Sequence, residues 1–418
     1  SVSSISASTL SSSTSSESAS SISASTLSSS TSSESISSIS VSTLSSSTSS
    51  ESVSSISAST LSSSTSSESI SSISASTLSS STSSKSLSSS ISSESISTLS
   101  SILSTSTNSS ESPGSTTGLT SIQWDGSGVV NIISYITIET AGNATDFGDL
   151  TESRGTGFSC SSSTRGIFAG GLGSSVVDIG GGTSTNARNI IDYVTIATTG
   201  NASDFGDLAT WRTAGSGSSN STRGLFVGGS IYVGNTDSNS NTIDYITIAT
   251  TGNSTDFGDL TIIRLNQASL SSQTRMVIGG GSNLSVPAIY NVIDYVTIAT
   301  TGDASDFGDL ISVNYRLIGL SSSTIGIFLG TANNVIQYIT IATTGNSSNF
   351  GETTTIFSSG SGMSNKIRGV FGGGVNSSTT NVLEYITIAT TGNSTDFGDL
   401  TFSSRTSSGC SNGHGGLP

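Results

Sequence analysis

Histidine is almost missing: His414, four residues from the end, is the only one in 418 residues. A lone imidazole leaves no Ser-His-Asp triad, Cys-His pair or multi-histidine metal centre to assemble. Cysteine is nearly as scarce, and Cys160 and Cys410 are too few and too far apart for a disulfide framework or a zinc cluster. Basic residues are few as well, 12 Lys and Arg against 27 Asp and Glu, for a net charge of −15. Nucleic-acid binding rests on clustered cations that neutralise phosphates, so that partner is excluded. No run of about 18 consecutive apolar residues exists to cross a membrane as a helix. Nor does any charged-then-apolar start resemble a signal peptide. A chain beginning with Ser1 reads as a fragment or a processed product.

Residues 1–112 also lack every aromatic side chain. They are mostly Ser and Thr with scattered Ile, Val, Leu and Ala, and carry six Glu against the single Lys85. Such a composition cannot bury a globular core. Its order lies in a 17-residue period, SSISASTLSSSTSSESI, with Glu17, Glu34, Glu51, Glu68 and then Lys85 in step. Val53, Ile56, Leu61 and Ile70 make no single helical stripe, and strict two-residue alternation fails too. Two readings stay open: a disordered or glycosylated stalk, and an extended multi-chain shaft. Either makes the tract a spacer, with 113–120 as linker and 121–418 as the folded part.

From Trp124 onward one phrase returns six times, as in NIIDYVTIAT and NTIDYITIAT, around Tyr135, Tyr193, Tyr245, Tyr295, Tyr338 and Tyr385. The tyrosines stand 58, 52, 50, 43 and 47 residues apart, which fits constant strands joined by loops of variable length. Four β-like runs fill each period, illustrated by 157–163, 165–171, 189–198 and 202–208. Periods of this length with four strands each predict the blades of a β-propeller. In the third run Ile191, Tyr193 and Thr195 alternate with Val194 and Ile196, so both faces carry apolar groups, as in a strand buried between neighbouring sheets. An aromatic recurs in the fourth run as Phe147, Phe205, Phe257, Phe307, Phe350 and Phe397.

The order apolar run, Gly-Gly, Tyr-bearing strand, turn, aromatic, Arg resembles kelch-type repeats, with Phe where those carry Trp. The resemblance implies an arginine per blade; Arg154, Arg212, Arg264, Arg316 and Arg405 are the candidates, and the fifth period, around Glu352, has none. The wording YITIATTGN-TDFGDLT with S-TRGVFGGG and the ending GCSNGHGGL, across 120–418, resembles repeat proteins of marine bacteriophage virions, structural and tail-fibre components. That resemblance implies a virion-surface or extracellular location. Closure follows from the ends. SIQWDG (121–126) can serve as a second strand lacking its first, and SGCSNGH (408–414) matches the first-strand run around Cys160. The termini then share one blade, six blades result, and Cys410 takes the position equivalent to Cys160. Both thiols are expected to pack in the core, a disulfide being the alternative.

Asp-Phe-Gly-Asp holds magnesium in kinases, but here it recurs at 146–149, 204–207, 256–259, 306–309 and 396–399, with no phosphate loop or HRD loop beside it. The repetition reads as turn chemistry, the Phe filling the interblade core and the Asp side chains satisfying local amides, with a structural calcium as the alternative. The sequons at Asn143, Asn201, Asn253 and Asn393 fall in the same turns. Recognition is expected instead on the insertions 172–188 and 230–241 and on aromatics outside the repeat. Of these, Trp211, Tyr232, Tyr290 and Tyr315 are the ligand-binding candidates, and Trp124 is expected near a strand. The expectation is therefore an all-β protein: a six-bladed kelch-like propeller of four-stranded antiparallel blades on an extended Ser/Thr-rich stalk. It would act without catalysis, cofactor or metal as an adhesion or virion-fibre module. Its partners would be a host cell-surface glycan or protein, other virion proteins, and further copies of itself through the stalk. The alternatives are a polysaccharide hydrolase using two carboxylates on one rim, and a passive virion decoration.

Overall fold

A computed structural model describes seven strands within 5–92, and residues 116–418 except 123, 125–127, 181–182, 234–235, 332, 377 and 405. Two compact units result, Ser1–Gly114 and Ser115–Pro418, each taken by itself below.

In the first unit the 17-residue period becomes the register of a parallel sheet. Thr14–Leu27, Thr31–Leu44, Thr48–Leu61 and Thr65–Leu78 pair in sequence order. Ile22 lies opposite Ile39, Ile56 and Ile73 in turn, and Leu27 opposite Leu44, Leu61 and Leu78. Like therefore stacks on like, which needs no alternation along the strand, and this is why the test for alternation misses it. This stacking within one chain adds a third arrangement to the two read from the sequence.

The second unit is a six-bladed propeller. Blade II shows the plan: Phe158–Ser161, Arg165–Ala169, Thr183–Thr195 and Ser203–Arg212, adjacent and antiparallel. Blades III to VI repeat it, their first strands being Ser216–Ser219, Ala268–Ser271, Ile318–Ser321 and Ser361–Ser364. Blade I is shared by the two ends of the unit. Ser407–Ser411 pairs antiparallel with Thr117–Ile122, Cys410 opposite Leu119, followed by Ile132–Thr137 and Thr145–Asp149. The second strand thus begins at Thr117, four residues before the run expected at Ser121, and Trp124 lies outside it, in an isolated bridge to Val129. The aligning letters are GLTSI, equivalent to GIFAG in blade II, rather than those around the tryptophan.

The core lies between blades. Phe158, Cys160, Ile167 and Phe205 of blade II pack with Phe226, Ile246 and Ile248 of blade III, and five similar clusters complete the circle. In every blade the repeated Tyr meets the repeated Phe edge to face at 6.0–6.2 Å. Such pairs add about 0.5–1.5 kcal/mol beyond burial. Cys160 and Cys410 are both free and buried, and desolvation pushes the Cys410 thiol up to about 12 and that of Cys160 well above its usual value.

The DFG glycine explains the repeated turn. Gly206 has φ +145°, and a Cβ there would stand 2.5 Å from the carbonyl oxygen of Gly252 in the next blade's turn. Beside it, Asn253 Oδ1 accepts the amide of Asp207 at 3.0 Å, and the same bond runs from Asp149 to Asn201, Asp259 to Asp303, Asp309 to Asn346, Glu352 to Asn393 and Asp399 to Asn143. The turn amides are thus capped by the neighbouring blade's Asn or Asp303, not by the DFG aspartates, whose first members, such as Asp146, are exposed. The sequon asparagines belong to this ring of bonds.

Candidate functional site

An antiparallel four-stranded blade sends its second-to-third and fourth-to-first connections to one edge and the others to the opposite edge. Every blade therefore contributes to two unlike faces. One carries the near-identical TGN turns. The other carries everything that differs between blades, and is called the loop face below.

The turn face is sealed along the axis. The six first strands line a channel, and each ends in a serine. Ser219 Oγ donates to Ser161 O, Ser271 to Ser219, Ser321 to Ser271, Ser364 to Ser321, Ser411 to Ser364 and Ser161 to Ser411, at 2.6–2.8 Å. The ring closes only because Ser411 comes from the far end of the chain. Beyond it the tail enters the bore. His414 Nε2 lies 3.2 Å from Ser161 O and 3.3 Å from Ser219 Oγ, and Gly415 N donates to Ser321 O. His414 Nδ1 accepts the Gly416 amide, so the proton of the neutral ring sits on Nε2 and is donated to Ser161 O. Burial pulls the His414 pKa down to about 4. The residue is a plug, and Leu417 behind it is also buried.

The loop face is held by buried ion pairs that the sequence only partly reveals. Arg154 pairs with Asp192 at 2.8 Å, Arg212 with Asp244 at 2.5 Å and Arg264 with Asp294 at 2.7 Å, each reaching the following blade. Arg212 also donates to the carbonyls of Gly228 and Thr242, tying the neck of the second-to-third connection. Desolvation pushes the Asp244 carboxyl up and the Arg212 and Arg264 guanidinium groups down, Arg264 to about 10. The expected Arg316 is not a member of this set. It is exposed, its guanidinium 5.5 Å over the Tyr315 ring, and Asn314 fills the equivalent position. Arg405 lies outside the described residues; the equivalent position in that blade is Ser404, and Phe357 fills the one before it. The partner changes in step: Asn314 faces the blade with Gln337 in place of Asp, Phe357 the one with Glu384, and Ser404 the one with Ser134.

A second arginine set, in S-TRG, carries no role in the sequence reading. Arg165, Arg223, Arg275 and Arg368 stack on Tyr193, Tyr245, Tyr295 and Tyr385 at 4.2–4.6 Å. Arg165 Nη1 then donates to Ile248 O of the next blade, as do its counterparts.

Topology brings the four candidate aromatics to the loop face. Trp211 ends a fourth strand, and the backbone bonds between Thr213 and Ser230 place it beside the hairpin Ser230–Val233 and Thr236–Asn239, which contains Tyr232. The Tyr232 side chain lies outside the described residues. Tyr290 O accepts the amide of Asn314, so Tyr290 and Tyr315 adjoin across blades IV and V, both half-buried. The two insertions are also there: 172–188 forms a hairpin arm, Val177 opposite Thr185, and 230–241 forms the second. A third, Ser282–Asn283 with Ala288–Ile289, exposes Leu284 and Val286. Among the described residues no group of three His, Cys, Asp or Glu side chains converges as a metal site.

At the loop face the channel opens into a cavity of about 90 Å³ lined by the starts of the six first strands, Ser159, Ser216, Gln267 and Ser269 among them. Neither this mouth nor the plug was visible in the sequence reading, although the serine ending each first strand, four residues before the S-TRG arginine, was a usable signal. No family model and no curated protein matches the chain.

Proposed function

We propose that the propeller is a non-catalytic recognition module, borne on the Ser/Thr-rich spacer as an adhesion or virion-fibre component. Its loop face contacts a cell-surface glycan or protein. The observation that carries this reading is the division of labour between faces. The turn face repeats one sequence six times and is plugged by the tail, whereas the arms and the off-repeat aromatics gather on the other. A rigid ring presenting variable loops is the usual arrangement for recognition. The DFG aspartates line the turn face and Asp192, Asp244 and Asp294 are committed to arginines, so none of these acids supports the hydrolase alternative.

Glycan-array and whole-cell binding of the full chain test it. Trp211→Ala and Tyr290→Ala should each lower binding several-fold, and substitutions in the turn face, such as Thr251→Ala, should leave it unchanged. Equal loss from both faces would refute the assignment.

A further inference from the structure

The serine ring near the turn face is fully bonded, but the wall of the channel mouth is not. Ser216 Oγ, Gln267 Oε1, Ser269 Oγ and Ser407 Oγ are buried there with no partner within the protein. Gln267 is 3% and Ser269 9% exposed. Gln267 Nε2 is spent on Val227 O, which fixes the amide and leaves its oxygen as the unpaired end. Four residues from three blades that line one axial space thus each carry an unsatisfied oxygen, which is unusual because buried polar groups are nearly always paired.

The chemistry of this wall selects among ligands. An apolar group would leave the four oxygens unpaired, at a cost for each. A resident metal ion needs several oxygens converging within about 2.6 Å, and no carboxylate lines the mouth to anchor one. An acidic sugar would find no cation, since no charged side chain lines the space, and would enter a chain of net charge −15. Hydroxyl groups suit it, because a serine hydroxyl both donates and accepts and reorients by one χ1 rotation, and Gln267 Oε1 accepts.

We propose that the mouth of the axial channel binds a neutral, hydroxyl-rich group of about one sugar ring, such as the end residue of an uncharged glycan entering along the propeller axis. This rests on the loop face being the binding face, and adds the ligand class and a site distinct from the aromatic rim.

The test is titration calorimetry or saturation-transfer NMR of the full chain with D-glucose, D-galactose, D-mannose, N-acetyl-D-glucosamine and D-glucuronate. At least one neutral sugar should bind and glucuronate should not. Ser216→Ala/Ser269→Ala should weaken the neutral sugar at least tenfold without loss of thermal stability, because it removes hydroxyls that hold nothing. Thr251→Ala, on the turn face, should leave monosaccharide affinity within about twofold. No neutral sugar bound, glucuronate bound equally well, or unchanged affinity in the double alanine variant would each overturn the proposal. If the sugars fail while Trp211→Ala and Tyr290→Ala still lose cell binding, the channel site falls and the loop-face reading stands. If those two variants keep full cell binding, it is the loop-face reading that falls.

Discussion

Arg264 has no exposed surface, and its guanidinium meets Gly280 O, Val292 O and Asp294 within 3.0 Å. Burying such a pair is no gain in itself, for the desolvation that lowers Arg264 toward 10 works against the attraction. Removing one partner, however, leaves the other charged and unpaired. Arg264→Met should therefore destabilise the propeller by about 3–5 kcal/mol in denaturant unfolding. The neighbouring blade has already replaced both members, with Asn314 and Gln337. The double variant Arg264→Asn/Asp294→Gln should accordingly recover more than half of that loss, and a purely additive double loss would contradict the pairing. This matched change was hidden in the sequence by loop length. Arg316 sits two residues beyond the true position and looks like the repeat arginine, whereas only the buried Asp-to-Gln change in the facing strand identifies Asn314.

At the level of elements, the strands between Thr117 and Ser411 were legible because tyrosine, phenylalanine and glycine each mark a fixed place in the blade. The 17-residue tract was not, since its strands pair identical residues across repeats and show no two-residue pattern within one. The tail was legible as a strand around Cys410 but not as a plug, because a short GHGGLP segment carries no periodicity. Its chemistry gives a pH signature. His414 has a folded pKa of about 4 against an ordinary 6.5, so between these values the unfolded chain binds a proton that the folded one refuses. Stability then rises with pH across this window and is lost as pH falls from about 6.5 toward about 4. Protonation would also remove the Nδ1 acceptor of the Gly416 amide. His414→Asn should flatten the stability profile over that range relative to the parent, measured by thermal melts at fixed ionic strength; parallel profiles would show that the imidazole is not held neutral in the bore.

For the molecule as a whole, one strand decides the architecture. Ser407–Ser411 completes blade I, supplies Ser411 to the serine ring, places Cys410 in the interblade core beside Leu119 and Phe168, and directs the tail into the channel. The two faces, the plug and the mouth all follow from that closure. Hydrogen exchange of the full chain, resolved by residue, measures it directly. Backbone amides of 118–121 and 408–411 should exchange with the same protection as those of 243–246 in blade III, opening only with global unfolding. Rapid exchange of 118–121 and 408–411 while blade III stays protected would show an open ring and contradict the account.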